Sequence, residues 1–508
     1  MNIFNRKIGF IIICMFFSFA CTNLDETVYE EITTSNYYKT ADEVIAAYLA
    51  AYGPLQNMYE ENYFNITEFS TDEACRPTKV QHGYDGGKWI RMHRHEWLTN
   101  ESMIEDIWNK CFKGIGFVNT CMTEFPNIDF ETYGVTVPRE QIYAELRAMR
   151  AFYYYMLCDN FGGVPIVEEV GNPVDPSRNT REEIVNYIEK ELKEVMPDLP
   201  VKGDANSYGK MTQGAAWTTL AKVYLNSEEW TGKARWADCI EACNNIIASG
   251  KYQLDDNWQD PFHYFNENSK ENIFVIPYDQ IHATQMNYPG RFLHYAHMLT
   301  YKLGKPSSNG VGTEQSFLSK FKTNDKRYEQ WLVGPQYDYD GKTPLPCVME
   351  LSGQNLVLNP VIKSMEEGAE NSGARNVKFK IQIGTPDYAQ DNDIPVFRYT
   401  DVLLMKAESL LRTNDKTNAL SLINQVRARC FNVDDPDREY EDITMDEFLD
   451  ERAREFSYEC WRRQDLIRFG KFNAAWWDKK ASDPTKKLFP IPDARIKANP
   501  NMKQNPGY

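Results

Sequence analysis

Apolar side chains recur three and four positions apart over residues 41–59, 103–124, 139–160, 181–196, 212–227 and 236–249. The same spacing returns over 399–412, 417–429 and 445–468, and it predicts amphipathic helices arranged in neighbouring pairs. Residues 212–226 carry small side chains at Ala215, Ala216 and Ala221, where a second helix can approach closely, as in a tetratricopeptide pair. No clean period of about 34 residues runs through the chain. Residues 145–158 behave differently: Arg147 and Arg150 are bracketed by Phe152, Tyr153, Tyr154 and Tyr155, large side chains lie almost all round, and the helix is expected to be enclosed. Gly162, Gly163 and Pro165 then stop it. Residues 251–395 instead are rich in Gly, Pro, Asn and Asp with only short apolar runs such as 273–277, and 67–100 is a shorter stretch of the same kind. The expected fold is mostly α, a helical scaffold over 36–250 and 396–508 around an irregular, loop-rich 251–395. So long an irregular stretch usually builds a functional surface.

The N-terminus reads as a leader. Arg6 and Lys7 precede an apolar run over 8–20 that is too short to span a bilayer, and Ser18-Phe19-Ala20 stand directly before Cys21. A small residue before a cysteine is what a lipoprotein signal peptidase requires, so 1–20 is expected to be a signal peptide and Cys21 the acylated anchor of a single domain over 21–508. Phe19 is bulky for a strict lipobox, and a plain secretory signal cut near Ala20 is the alternative. No second apolar run of spanning length follows.

Charge narrows the partners. With 56 basic and 73 acidic residues the net charge is −17, which disfavours nucleic acid. Aromatic residues make up 13% of the chain, enough to fill a core and still leave exposed rings as platforms for a flat ligand. Apart from Cys14 and Cys21 the cysteines are scattered without a disulfide or zinc framework, and are expected to be buried thiols.

Five segments, 145–165, 209–226, 395–411, 451–470 and 488–508, resemble the SusD/RagB family of Bacteroidetes outer-membrane lipoproteins. They include E-L-R-A-M-R-A-F-Y-Y-Y-M-L-C-D-N-F-G-G-V-P, E-R-A-R-E-F-S-Y-E-C-W-R-R-Q-D-L-I-R-F-G and the ending Gln504-Asn505-Pro506-Gly507-Tyr508, in order and nearly end to end. The resemblance implies a SusD-like body of tetratricopeptide-like helix pairs with few short strands. It implies a surface protein that binds oligosaccharide without cleaving it, uses no cofactor, and delivers its ligand to a SusC-like TonB-dependent transporter. The early acidic Asp25-Glu26 resembles the export tag that sends such lipoproteins to the cell surface. Taken by themselves, the charges of 451–468 are spaced to form ion pairs along one scaffold helix, with Phe456, Trp461, Leu466 and Ile467 facing inward.

Several catalytic patterns fail. His95-Glu96 begins like a zincin helix but Thr99 stands where the second histidine must fall, and Gln336 replaces the first glycine of a phosphate loop ending at Lys342-Thr343. Asp338-Tyr339-Asp340-Gly341 puts Met349 where a calcium loop needs glutamate. His82, His93 and His95 lie close in sequence, with His93 and His95 on one side of an extended segment, yet no carboxylate or cysteine completes a metal site. A glycosidase, which needs two carboxylates across a cleft, and a helical-repeat assembly protein without glycan binding stay open as alternatives.

The strongest candidate for a ligand surface is 70–97. Asp85-Gly86-Gly87 is a turn signal that places Tyr84 and Trp89 on exposed backbone. Either ring can serve as a sugar platform, with Asp72, Asp85 and Arg91 as hydrogen-bond partners and Tyr295, Asn309 and Arg375 as support from the irregular region. Covering ~100 Å² of aromatic face contributes roughly 2.5 kcal/mol, and each hydrogen bond about 1 kcal/mol. After the cost of immobilising the ligand, micromolar to millimolar affinity is expected.

Overall fold

Gly53 and Pro54 interrupt the first predicted helix. The computed structural model describes residues 38–508 apart from 81, 172 and 173, so the leader, Cys21 and Asp25-Glu26 lie outside the described residues. Residues 41–68 divide into α1 (Ala41–Leu49), α2 (Gly53–Met58), a π turn (Tyr59–Tyr63) and α3 (Phe64–Glu68). Pro54 suits the first turn of α2, where its missing N–H would be unpaired anyway, and cannot extend α1.

The next helices follow the predicted segments closely: α5 (Ser102–Glu124), α6 (Arg139–Phe161), α7 (Arg181–Val195), α8 (Gln213–Thr231) and α9 (Trp236–Ala248). One short helix, α4 (Lys88–Arg94), falls inside the stretch expected to be irregular. Caps set the boundaries. Thr180 and Glu183 form a reciprocal capping box on α7, and the Thr212 hydroxyl accepts from the Ala215 N–H at 3.2 Å on α8. As its sequence required, α6 is enclosed, lying between α5 and α7 with Phe152 to Phe161 all buried. Its polar atoms find partners there: Arg150 reaches Glu191 (2.8 Å) and Asn119 (2.9 Å), and the Tyr153 hydroxyl donates to the Ala51 carbonyl (2.7 Å). Gly114 of α5 lets the two helices close up, since a Cβ there would collide with the Tyr153 ring.

Residues 251–395 hold short pieces: α10 (Tyr288–Phe292), α11 (His297–Tyr301), α12 (Gln315–Leu318) and six strands paired two by two. β1 (Asn272–Ile276) runs antiparallel to β6 (Ile394–Arg398), with Asn272 opposite Arg398 and Ile276 opposite Ile394. β2 (Trp331–Leu332) pairs with β5 (Arg375–Asn376), and β3 (Gly334–Pro335) with β4 (Val357–Leu358). β6 leads straight into α13 (Tyr399–Arg412), which packs on α9 and on α14 (Lys416–Arg427), so the loop region is tied to the helix layer. The fold is mostly helical, and Cys75, Cys111, Cys121, Cys158, Cys239, Cys243, Cys347, Cys430 and Cys460 are buried free thiols.

The last long predicted helix is two. α15 (Met445–Phe456) and α16 (Arg462–Arg468) are separated by a turn in which Tyr458 and Cys460 adopt left-handed φ of 63° and 68°. A short helix, α17 (Asp493–Ala498), follows near the end of the chain. The charges of 451–468 do not run along a solvated face either. Arg452 pairs with Asp465 (2.8 Å) and Asp401 (3.3 Å), Arg468 with Glu408 (2.7 Å), and Arg462 with Asp72 (2.7 Å), each arginine almost fully buried. Arg398, at the end of β6, bonds to Glu459 (2.7 Å) and Glu455 (2.9 Å), and Arg327 to Glu451 and Glu455 (2.9 Å each). Two of the expected pairs three apart do form, Arg454 with Glu451 (2.9 Å) and Arg468 with Asp465 (2.7 Å), but buried guanidinium groups need carboxylates from several directions, so most of the pairs cross between elements.

Candidate functional site

The loop ahead of α4 is clamped to the irregular region near its start. Cys75 and Gly312 exchange backbone hydrogen bonds of 2.9 Å, Thr78 N–H reaches the Met365 carbonyl at 2.8 Å, and residues 79 and 82 close a tight turn. Asp85, Gly86 and Gly87 then take left-handed φ of 43°, 65° and 77° in succession. That sequence of conformations is costly, above all at Asp85, and is held by the Arg91 guanidinium on the Gly86 carbonyl (2.7 Å) and by the Trp89 indole N–H on the Asp85 carboxylate (2.5 Å). The turn leaves Tyr84 60% exposed.

Trp89 itself is not available as a stacking face. It is 4% exposed, meets Phe69 edge-on at 5.5 Å, and carries Arg76 and Lys88 over its ring at 4.7 and 4.4 Å. Its place at the start of α4 points the indole inward, so it anchors the loop. Asp72 faces Arg462 in a bidentate pair of 2.7 and 2.8 Å; burial alone would raise its pKa, but that guanidinium holds it below the usual range. Arg91 is likewise taken up by Glu101 (3.0 and 2.8 Å). Asp85 also faces Arg76 at 3.5 Å and stays exposed.

The three residues from the irregular region gather beneath the loop. The Arg375 guanidinium donates to the Asn309 side-chain oxygen (2.6 Å), the Asn309 amide donates to the Glu370 carbonyl (2.8 Å), and Lys79 Nζ donates to the Asn309 carbonyl (2.5 Å). Tyr295, half-buried, hydrogen-bonds to His82 Nε2, their rings edge-to-face at 5.8 Å. Asn309 and Arg375 are fully buried, so they shape this floor and do not reach its surface. Burial lowers the pKa of Arg375 to about 10, lowers those of Lys79 and His82, and raises that of Tyr295. Exposed on this side are Tyr84 and Asp85, with His82, Tyr295 and Arg76 half-open beside them. Lys79, Arg76 and the Glu370 contact carry no local sequence signal: Lys79 meets Asn309 across 230 positions and Glu370 meets it across 61, while Arg76 lies over a ring that only the fold of the loop brings to it.

His93 and His95 do not share a metal. α4 makes the segment helical: His93 Nε2 meets the Trp477 carbonyl (2.8 Å), and His95 bridges Ser482 (2.9 Å) and the Ser70 carbonyl (2.8 Å). Among the described residues no group of three or more His, Cys, Asp or Glu could hold a metal ion, and no helix is long and apolar enough to cross a membrane. Two clefts open away from the 76–91 loop. One of about 400 Å³ lies between α2 and β1 and includes Tyr52, Tyr208 and Pro277; another of about 600 Å³ is lined by Leu318, Phe321, Val333 and Pro360.

Comparison with known proteins places these features. Residues 244–508 match the model of the SusD family, and residues 24–225 match a second model described as starch-binding associating with outer membrane. The chain belongs to the SusD family. Within it, the chain is 28% identical to the starch-binding protein SusD of Bacteroides thetaiotaomicron over 410 residues, 72% of each chain. A SusD-like protein of Formosa agariphila is 24% identical over 99% of each. Among solved structures, surface glycan-binding protein A of Bacteroides thetaiotaomicron superposes with a TM-score of 0.71 at 21% identity, covering 93% of this chain and 100% of that one. The same protein in complex with laminarihexaose gives 0.69 at 20% identity, with 92% and 99% covered. A SusD superfamily protein of Parabacteroides distasonis gives 0.72 at 21% identity, with 94% and 100% covered. The likeness gives the SusD fold, in a family of binding proteins that are not catalysts.

Proposed function

We propose that this SusD-family protein captures glycan chains at the cell surface, held there by a lipid on Cys21, and passes them to a SusC-like TonB-dependent transporter. The observation that carries the reading is Tyr84: a large ring 60% exposed on a loop made rigid by Arg91, Trp89 and Arg76. A ring held still loses little entropy when a pyranose face covers it, and His82, Asp85 and Tyr295 lie beside it with polar atoms for the ring's hydroxyls. Relatives named for starch binding and solved with laminarihexaose support a carbohydrate ligand.

Tyr84→Ala is expected to weaken binding by about 1–3 kcal/mol and to leave the melting temperature unchanged, since the ring is outside the core. Trp89→Ala is expected to do the reverse, costing roughly 3–5 kcal/mol of stability as a buried aromatic is removed. Calorimetry against starch and laminarin oligosaccharides within a wider glycan panel, with a melting curve on each variant, tests both. Normal binding by Tyr84→Ala removes this site from consideration. Release of product at enzyme-like turnover from any panel member points to the glycosidase alternative instead.

Anchoring and partnership are tested in one fractionation. Wild-type protein is expected in the outer membrane and to co-purify with a large barrel protein from detergent, whereas Cys21→Ala is expected in the soluble fraction with its fold intact. Unchanged membrane retention of Cys21→Ala places the anchor elsewhere, and absence of any barrel partner removes the transporter from the reading.

A further inference from the structure

The irregular region carries a second aromatic surface that the 76–91 loop does not include. Residues 336–345 form a tight hairpin: Leu345 N–H donates to the Gln336 carbonyl (2.9 Å), Asp338 N–H to the Thr343 carbonyl (2.8 Å), and Tyr337 bridges Pro344. Its tip is closed by the Asp340 carboxylate, which accepts from the Lys342 and Thr343 N–H groups at 2.8 Å and from the Thr343 hydroxyl at 2.6 Å. On this stiff support Tyr337 and Tyr339 are 42% and 54% exposed. Tyr337 lies on the paired arm of the hairpin and Tyr339 in its turn, which the Gly341 N–H closes on the Asp338 carbonyl (2.9 Å), so both rings stand at one end of the same support. Lys302 Nζ sits 3.5 Å from the centroid of the Tyr339 ring, which fixes that ring and backs one of its faces.

The hairpin is joined to the candidate site by one turn of helix. Tyr295 stands two residues before α11, whose span is about 7 Å at 1.5 Å per residue. At the hairpin end His297 bonds to Gln336 (3.1 Å) and the Thr300 hydroxyl donates to the Tyr337 carbonyl (2.7 Å). Leu299, 44% exposed, lies on α11 between the two.

We infer that Tyr337 and Tyr339 form a second carbohydrate subsite, reached by a glycan that runs from Tyr84 past Tyr295 and along α11, so that the ligand is a polymer or long oligosaccharide and not a short one. This rests on the carbohydrate reading of the Tyr84 surface. Two exposed tyrosines on a hydrogen-bonded hairpin, the Tyr339 ring backed by Lys302 and the Tyr337 main chain held by Thr300, are preorganised for stacking, and continuity with the Tyr84 surface singles out the same ligand over a protein partner. Binding of one chain at both places raises the effective concentration of the second contact.

The experiment compares wild type, Tyr84→Ala and the double variant Tyr337→Ala/Tyr339→Ala on starch and laminarin, on maltotriose through maltohexaose and the matching laminarin oligosaccharides, and on a wider panel of plant, algal and bacterial polysaccharides. Affinity gels read the polymers and calorimetry reads the oligosaccharides. The double variant is expected to lose roughly tenfold in affinity for the bound polymer while its melting curve and its affinity for the shortest bound oligosaccharide stay within twofold of wild type. Undiminished polymer affinity overturns the second subsite, as does a double variant that keeps the polymer but loses the co-purifying barrel. If Tyr84→Ala retains oligosaccharide binding, the primary-site reading fails while the hairpin's effect on polymer is still read separately. Wild type that retains no member of the panel overturns both.

Discussion

Arg398→Ala is expected to destabilise the protein by about 3–5 kcal/mol, the cost of leaving buried carboxylates without their counter-ion. Arg398 is 1% exposed and its guanidinium bonds to both Glu459 oxygens (2.7 and 2.8 Å), to Glu455 (2.9 Å), to Glu271 (3.2 Å) and to the Glu455 carbonyl (3.0 Å). The three glutamates come from different places: Glu271 precedes β1, Glu455 ends α15 and Glu459 lies in the turn after it. Removing the arginine leaves Glu459 facing Lys378 alone among the cations paired with it here, and loosens the join between the β1–β6 pair and α15. Arg398→Lys is expected to recover only part of the loss, since an ammonium cannot present the planar fork that meets two carboxylates at once. Urea denaturation of the three proteins provides the measurement. Curves for Arg398→Ala within about 1 kcal/mol of wild type, a surface-pair value, refute the idea that this network holds the two halves together.

That network also shows what could and could not be read from the chain. The helix α6 was legible because its signals are local: large side chains all round, then Gly162, Gly163 and Pro165. The break between α15 and α16 was not. Tyr458 and Cys460 look like ordinary helical residues, and their left-handed conformation is held by carboxylates 385 and 392 positions away in sequence. Spacing along 451–468 showed which charges were present but not that they were buried, because burial depends on partners such as Asp72, Asp401 and Glu408 from other elements. At the candidate site the Asp85-Gly86-Gly87 turn was visible, as was the choice between Tyr84 and Trp89. Which of the two rings stays exposed depends on Phe69, Arg76 and Lys88 closing over the indole, which only the folded chain brings together. Tyr295, Asn309 and Arg375 do lie under the loop, yet the latter two are buried, a distinction invisible without the floor they build.

Glu68→Gln is expected to raise stability above pH 8 and to change it little near pH 5. Glu68 and Glu73 are both buried, and each gives one oxygen to the strained turn: Cys460 N–H donates to Glu68 and Tyr458 N–H to Glu73. Their other oxygens meet no donor among the described residues. A single proton held between the two carboxyl groups satisfies both oxygens and removes the repulsion of adjacent negative charges. Burial is the main cause that pushes Glu68 up to about 8; burial and then the neighbouring Glu68 charge push Glu73 well above the ordinary carboxylate range. In the unfolded chain both ionise near pH 4.5, so the folded state binds more protons between that pH and about 8. Stability is therefore full below the unfolded value and falls as pH rises through the folded one. Glutamine keeps the carbonyl that accepts from Cys460 and supplies a permanent N–H toward Glu73, a copy of the protonated pair that cannot lose its proton. Melting temperatures of wild type and Glu68→Gln from pH 5 to pH 9 are expected to diverge as pH rises, the wild type falling more steeply. Parallel curves across that range rule out the shared proton, and a variant that loses stability equally at every pH shows that the carboxylate itself is what the turn requires.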